Sequence, residues 1–222
     1  MKKFSVIILV LLICVFSFSS CDKDVDLTVY VSQIRHNIYI GENDDYKIVV
    51  YEEKRENPYV ADAFIGSLEN FVIIKIESKS ESVDGVSASF CIDGKEYKGD
   101  FVFNPITSKF TLEVIVDKFN EQKELEVKLY KDTNYQSIVA KSMLFEDTKA
   151  YQEVLKSVSR YDKNVINKLF KGDKVTAEIH IRLLYDNDKN YYYVGFVESD
   201  KKTTCFLVDG QTLKVLATKN VE

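Results

Sequence analysis

The chain has 222 residues, 45% of them hydrophobic, with 35 Asp and Glu against 30 Lys and Arg. That length and apolar content can build cores without disulfide staples, and a net charge of −5 argues against nucleic acid as a partner. With only two His, few side chains can supply a neutral-pH base or a histidine metal ligand.

The chain opens Met1-Lys2-Lys3 and runs on as "FSVIILVLLICVFSF" from Phe4 to Phe18. This apolar run of about 15 residues is shorter than the roughly 20 that a spanning helix needs. Residues 1–20 therefore read as a signal peptide. Ser19 and Ser20 directly precede Cys21, and the stretch resembles the lipobox of bacterial lipoproteins, departing at Phe18, where that family prefers Leu. The resemblance implies cleavage before Cys21 and a diacylglyceryl group on its sulfur. The chain would then be extracytoplasmic, with the membrane a partner through the lipid anchor. Two acyl chains hold where one barely does, at about 0.8 kcal/mol per buried CH₂. Loss of Lys2 and Lys3 leaves 28 of the 30 basic residues against 35 acidic ones, a net charge of −7; repulsion from anionic headgroups is expected. Residues 21–26 form a short solvated tether, whose five residues after the cysteine reach at most roughly 17 Å.

From 27 to 146 the hydrophobic period is two. "LTVYV" sets Leu27, Val29 and Val31 on one side, and "YKIVVY" and "NFVIIKIE" follow. In "SASFCIDGKEYKGDFVF", Asp93-Gly94 signals a tight hairpin. "KFTLEVIV" aligns Phe110, Leu112, Val114 and Val116; "ELEVKLY" aligns Leu125, Val127 and Leu129; "SIVAKSMLF" closes the set. Seven to nine short strands at this spacing predict an Ig-like antiparallel β-sandwich, without the Cys…Trp…Cys signature because Trp is absent.

The period changes at Asp147. Apolar residues at 150, 151, 154, 155 and 158 predict a helix, with Asp147 or Thr148 as its cap. A second short helix follows Asp162, with Val165, Ile166, Leu169 and Phe170 inward and Gly172 as its stop. "VTAEIHIRLLY" returns to period two: Val175, Ala177, Ile179, Ile181, Leu183 and Tyr185 share one face, and Glu178, His180 and Arg182 the other. "YYYVGFVE", "TTCFLV" and "LKVLAT" complete about four strands, with hairpins at "DNDKN" and at Asp209-Gly210. Residues 147–222 thus predict an α+β domain, a helix covering a four-stranded antiparallel sheet, after a β-sandwich domain over 27–146. The fold class is mostly β with an α+β C-terminal part.

The order of helix and strands, with Tyr191–Val194, Val208-Asp209-Gly210 and Leu213–Leu216, resembles a PepSY-like domain, departing at Leu213, where that family carries Gly. Cystatin-like folds share the layout. Leader and composition together resemble uncharacterised lipoproteins of clostridia-like bacteria.

Candidate sites are few. Glu178, His180 and Arg182 suit cross-strand ion pairing on a solvated sheet face rather than a metal site. His36 falls at a turn. "DNDKN" echoes a calcium loop but has Tyr191 where Gly is needed and Val197 where Glu is needed. Cys91 and Cys205 read as small buried hydrophobes, a disulfide between them being the alternative. Tyr59, beside Pro58, and Tyr191 and Tyr193, which share a strand face, offer contact anchors; core filling is the competing reading. No catalytic or phosphate-binding motif is present, and no cofactor or metal is expected. The expectation is a membrane-anchored, non-catalytic binding protein for a protein, peptide or cell-wall ligand, with Tyr59, Tyr191, Tyr193, Glu178, His180 and Arg182 as its surface. The PepSY likeness implies instead a regulator or inhibitor of an extracytoplasmic peptidase. An enzyme of unrecognised type is a further alternative.

Overall fold

The computed structural model describes residues 25–79, 83–105, 108–119, 122–132, 134–200 and 202–221. The signal peptide, Cys21 and the first residues of the tether lie outside the described residues. Asp26 accepts from the Thr28 amide (3.0 Å) and starts a 3-10 turn, Leu27–Tyr30, where alternation predicts a strand. Leu27 is buried but Val29 is exposed, as a turn of about three residues requires.

Nine strands follow: β1 (Val31–Glu42), β2 (Tyr46–Glu56), β3 (Leu68–Ser78), β4 (Ser87–Ile92), β5 (Lys95–Asp100), β6 (Val102–Asn104), β7 (Lys109–Val116), β8 (Glu124–Lys131) and β9 (Asn134–Ser142). Then come α1 (Tyr151–Tyr161), α2 (Val165–Leu169), β10 (Phe170–Lys171), β11 (Lys174–Val175), β12 (Ala177–Asp186), β13 (Lys189–Glu198), β14 (Thr203–Asp209) and β15 (Val215–Val221). The molecule is mostly β with a small helical part. Its main sheet runs β15-β14-β13-β12-β1-β2-β3-β7-β6, and a branch β9-β8-β4-β5 leaves from β1.

β1 organises both halves. Its first residues pair in parallel with β12, Val31 with Ile179 and Arg35 with Arg182; its later residues pair antiparallel with β9, Tyr39 with Ser142. Every other strand pair described is antiparallel. The branch curls over the main sheet, so that Phe90, Val127, Leu129 and Ile138 meet Tyr39, Ile48, Val72 and Ile74 in one core. The second core sits under α1 and α2, where Val154, Leu155, Val158 and Leu169 meet Ile179, Ile181, Val194 and Phe206. Burying each of these helix side chains contributes about 1.5–3 kcal/mol.

The tight turns follow their sequence signals: Asp93 and Gly94 both take positive φ (53° and 76°), as do Asn187 and Asp188 (47° and 56°), the conformation of a twist-matched two-residue hairpin. Three details differ from expectation. α1 has Ala150 at its N-cap and no side-chain cap, because Thr148 Oγ1 donates to Asn190 Oδ1 (2.7 Å) and Asp147 Oδ1 accepts from Gln211 (2.9 Å). Gly172 does take φ 67°, but in the turn between β10 and β11, not as a helix stop. His36 lies inside β1, where the register shifts between Arg35 and Asn37. Its ring packs against Phe119 (5.5 Å) and Tyr151 (6.5 Å), and burial, then Lys54, lowers its pKa.

Candidate functional site

Along β12 the alternation sends Ala177, Ile179 and Ile181 to the helix-covered core and Glu178, His180 and Arg182 to the opposite face. That face is not solvated at its start. Glu178 is fully buried and His180 is 8% exposed, because the segment between β2 and β3 folds back over them. Its base is tied by Asn57 N donating to Ser67 O (3.1 Å) and by Gly66 N donating to Glu56 Oε1. From it Tyr59 reaches down: its hydroxyl donates to Glu178 Oε1 (2.6 Å) and its ring meets the His180 ring edge-on at 5.6 Å. His180 Nε2 lies 3.0 Å from the same carboxylate oxygen. Burial first, then the Glu178 contact, raises the Tyr59 hydroxyl pKa. Among the described residues Glu178 Oε2 and Glu56 Oε2 are buried without a hydrogen-bond partner.

Next to this buried cluster the face opens. Gln33 is in register with His180 and Arg35 with Arg182; across β1, Arg35 is in register with Glu53. Arg182 donates through Nε and Nη2 to Gln33 Oε1 (3.0 and 2.7 Å), and Gln33 Nε2 donates on to Glu53 Oε1. Arg35 Nη2 donates to Glu53 Oε2 (3.1 Å). Arg35 stacks 4.0 Å from the Tyr51 ring centre, Lys75 Nζ stands 5.2 Å from the same ring, and Arg182 lies 5.6 Å from that of Tyr193. Burial, then the charges of Arg35 and Lys109, lowers the Lys75 amine pKa, with Glu53 opposing. Among the described residues no carboxylate comes within ion-pairing distance of Lys75 or Arg182. Glu53 thus pairs with Arg35 and, at 3.7 Å, with Arg55, while Lys75 and Arg182 stand on the same half-exposed, aromatic-backed face without a paired carboxylate among the described residues. Rigid Arg donors of this kind are suited to carboxylate or phosphate.

Tyr193 continues the face onto β13. Its hydroxyl lies 3.2 Å from Cys205 Sγ, and burial, then that contact, raises its pKa. Gly195 makes the room: a Cβ there would stand 2.6 Å from the Tyr193 hydroxyl.

Five of the six side chains singled out from sequence, Tyr59, Glu178, His180, Arg182 and Tyr193, therefore line one continuous face. Tyr191 lies two residues further along the same side of β13, in register with Leu184 and Asp209. Gln33, Arg35, Tyr51, Glu53 and Lys75 were not evident as site residues, since only strand pairing places them here; the alternation of Tyr51, Glu53 and Arg55 in "YEEKRE" is the one local hint. Cys91 and Cys205 are both free, and Cys91 is exposed rather than buried, on the outer side of β4. Two open grooves lie elsewhere, one of about 410 Å³ beside Tyr161, Lys168 and Thr218 and one of about 560 Å³ beside Ile76 and Phe110. Among the described residues no group of three or more His, Cys, Asp or Glu is placed to hold a metal ion, and no helix is long and apolar enough to cross a membrane.

Compared with known proteins, the chain matches no family model, no curated protein and no solved structure.

Proposed function

We propose that the protein is an extracytoplasmic lipoprotein, held to the outer face of the cell membrane through Cys21, that acts as a non-catalytic binding protein for an anionic partner. The observation that carries the reading is the row Arg35, Lys75 and Arg182 on Tyr51 and Tyr193, pre-ordered and under-neutralised in a chain whose net charge is negative. Rigid aromatic and Arg side chains on a sheet lose little entropy on contact. The partner is an acidic protein or peptide, or an anionic cell-wall polymer. Retention of envelope fractions by the purified full-length chain tests this. Lys75→Glu and Arg182→Glu should each weaken retention at least about tenfold, or about 1.4 kcal/mol, and raised salt should weaken it further. Retention indifferent to both reversals rejects the face as the site.

A second reading has its own support. The C-terminal part is a helix over β12–β15, and Leu213, where a PepSY-like domain carries Gly, takes φ 61°, a conformation in which Gly is at ease. On this reading 147–222 is a PepSY-like unit behind an Ig-like sandwich, and the protein restrains an extracytoplasmic peptidase. Recovery of a peptidase whose retention ignores the two reversals would favour it.

A further inference from the structure

The chain comes into the fold beside the segment 57–67. Val31 pairs with Ile179, and the neighbouring Glu178 takes the Tyr59 hydroxyl. Beyond that tie the segment turns its apolar residues outward: Phe64 is 74% exposed and Val60 52%. Asp62 Oδ1 accepts from the Phe64 amide (2.9 Å), which with the ties at Glu56 and Asn57 holds the tip in a fixed shape. On the other side of the sheet, at the same end, Tyr30 packs edge-on against Phe170 at 5.3 Å. This places the β10–β11 hairpin, with Lys171 and Lys174 exposed, next to the incoming chain. Val29 is exposed here as well. Between 162 and 174 the chain carries Lys163, Lys168, Lys171 and Lys174 against Asp162 and Asp173, so this stretch is basic although the whole molecule is acidic.

We infer that this end of the molecule, with Val60 and Phe64 on one side of the sheet and Lys171 and Lys174 on the other, seats on the phospholipid bilayer and sets the orientation of the anchored protein. The inference rests on the lipid-anchor reading. Residues 22–26 are too few to hold the end more than roughly 17 Å from Cys21, which suits a surface that meets the membrane. Aromatic and aliphatic side chains favour the headgroup boundary, and lysines favour anionic lipid. The expected repulsion from such lipid is a property of the net charge; the exposed Lys171 and Lys174 carry the opposite sign. β1 then rises from the membrane, with the Arg35–Arg182 pair about 13 Å along it at about 3.3 Å per residue.

The chain has no Trp, which gives a direct probe. The full-length lipidated protein carrying Phe64→Trp is reconstituted into vesicles of phosphatidylcholine and phosphatidylglycerol containing brominated lipid. The control is Tyr135→Trp; Tyr135 is exposed and adjoins Gln136, which bonds Asn43 and Asp45 at the far end of β1. Emission from Phe64→Trp should shift to the blue and be largely quenched, that from Tyr135→Trp should not, and adding Lys171→Glu with Lys174→Glu should reduce the quenching. Vesicle-bound protein with both positions quenched, or neither, overturns the orientation and leaves the anchor standing. Protein that fails to sediment with vesicles and lacks lipid on Cys21 overturns the anchor reading and this inference together.

Discussion

Glu52 shows at the scale of one residue how burial sets chemistry. It is 3% exposed on β2, and burial pushes its carboxyl from an ordinary 4.5 up to about 7, against the opposing hydrogen bond from Tyr39. The Tyr39 hydroxyl has one proton but two acceptors in reach, Glu52 Oε1 at 3.0 Å and Gln122 O at 3.3 Å. A protonated Glu52 satisfies both, donating to Tyr39 while Tyr39 donates to Gln122. Because the folded pKa lies above the unfolded one, this group's contribution is fully present below about 4.5 and is lost as pH rises through about 7, at about 3 kcal/mol in total. Glu52→Gln should keep the donor, raise the thermal midpoint at neutral pH and flatten its fall across that window; an unchanged pH profile would contradict the assignment. Leu213 offers a second case. Its left-handed backbone (φ 61°) costs a branched residue about 1–2 kcal/mol, part of which Gly returns as unfolded-state entropy. Leu213→Gly should change stability by less than about 1 kcal/mol in chemical denaturation, because the relieved backbone cost is offset by the lost packing of a half-buried side chain on the helix-covered core.

At the scale of elements, α1 owes its place to one apolar stripe rather than to its ends. It has no side-chain cap, yet Val154, Leu155 and Val158 are buried against the sheet. Leu155→Ala should cost about 2–5 kcal/mol, far more than any change at Asp147 or Thr148, and urea titration followed by far-UV circular dichroism would measure both. The segment 57–67 is positioned differently, by polar ties into the sheet. Tyr59→Phe removes the donor to Glu178 Oε1 and leaves that buried carboxylate with His180 alone among its described partners. A loss of about 1–3 kcal/mol is expected, together with faster amide exchange at residues 59–66.

For the whole molecule, β1 is the strand on which both cores depend. Its Val31, Ile34 and Ile38 belong to the helix-covered core, while its Tyr39 belongs to the core under the curled branch. Opening either core disturbs a strand that the other needs, so the chain should unfold in one transition. Calorimetry on Leu155→Ala should show a single lowered peak; two peaks, with one at the wild-type temperature, would mean the cores are independent.

Alternation within a strand, the Asp93-Gly94, Asp186–Asn190 and Asp209-Gly210 turns, and the helical stripe at 154, 155 and 158 were legible in the amino-acid sequence. Each depends on neighbours within a few residues, where backbone geometry dictates the side-chain period. Tertiary structure alone decided the parallel pairing of β1 with β12, which no local turn announces. It also decided the burial of Glu178 and His180: a polar strand face reads as solvated until a distant segment covers it. The row Arg35, Lys75 and Arg182 exists only because strands far apart in the chain become neighbours about 5 Å apart in the sheet.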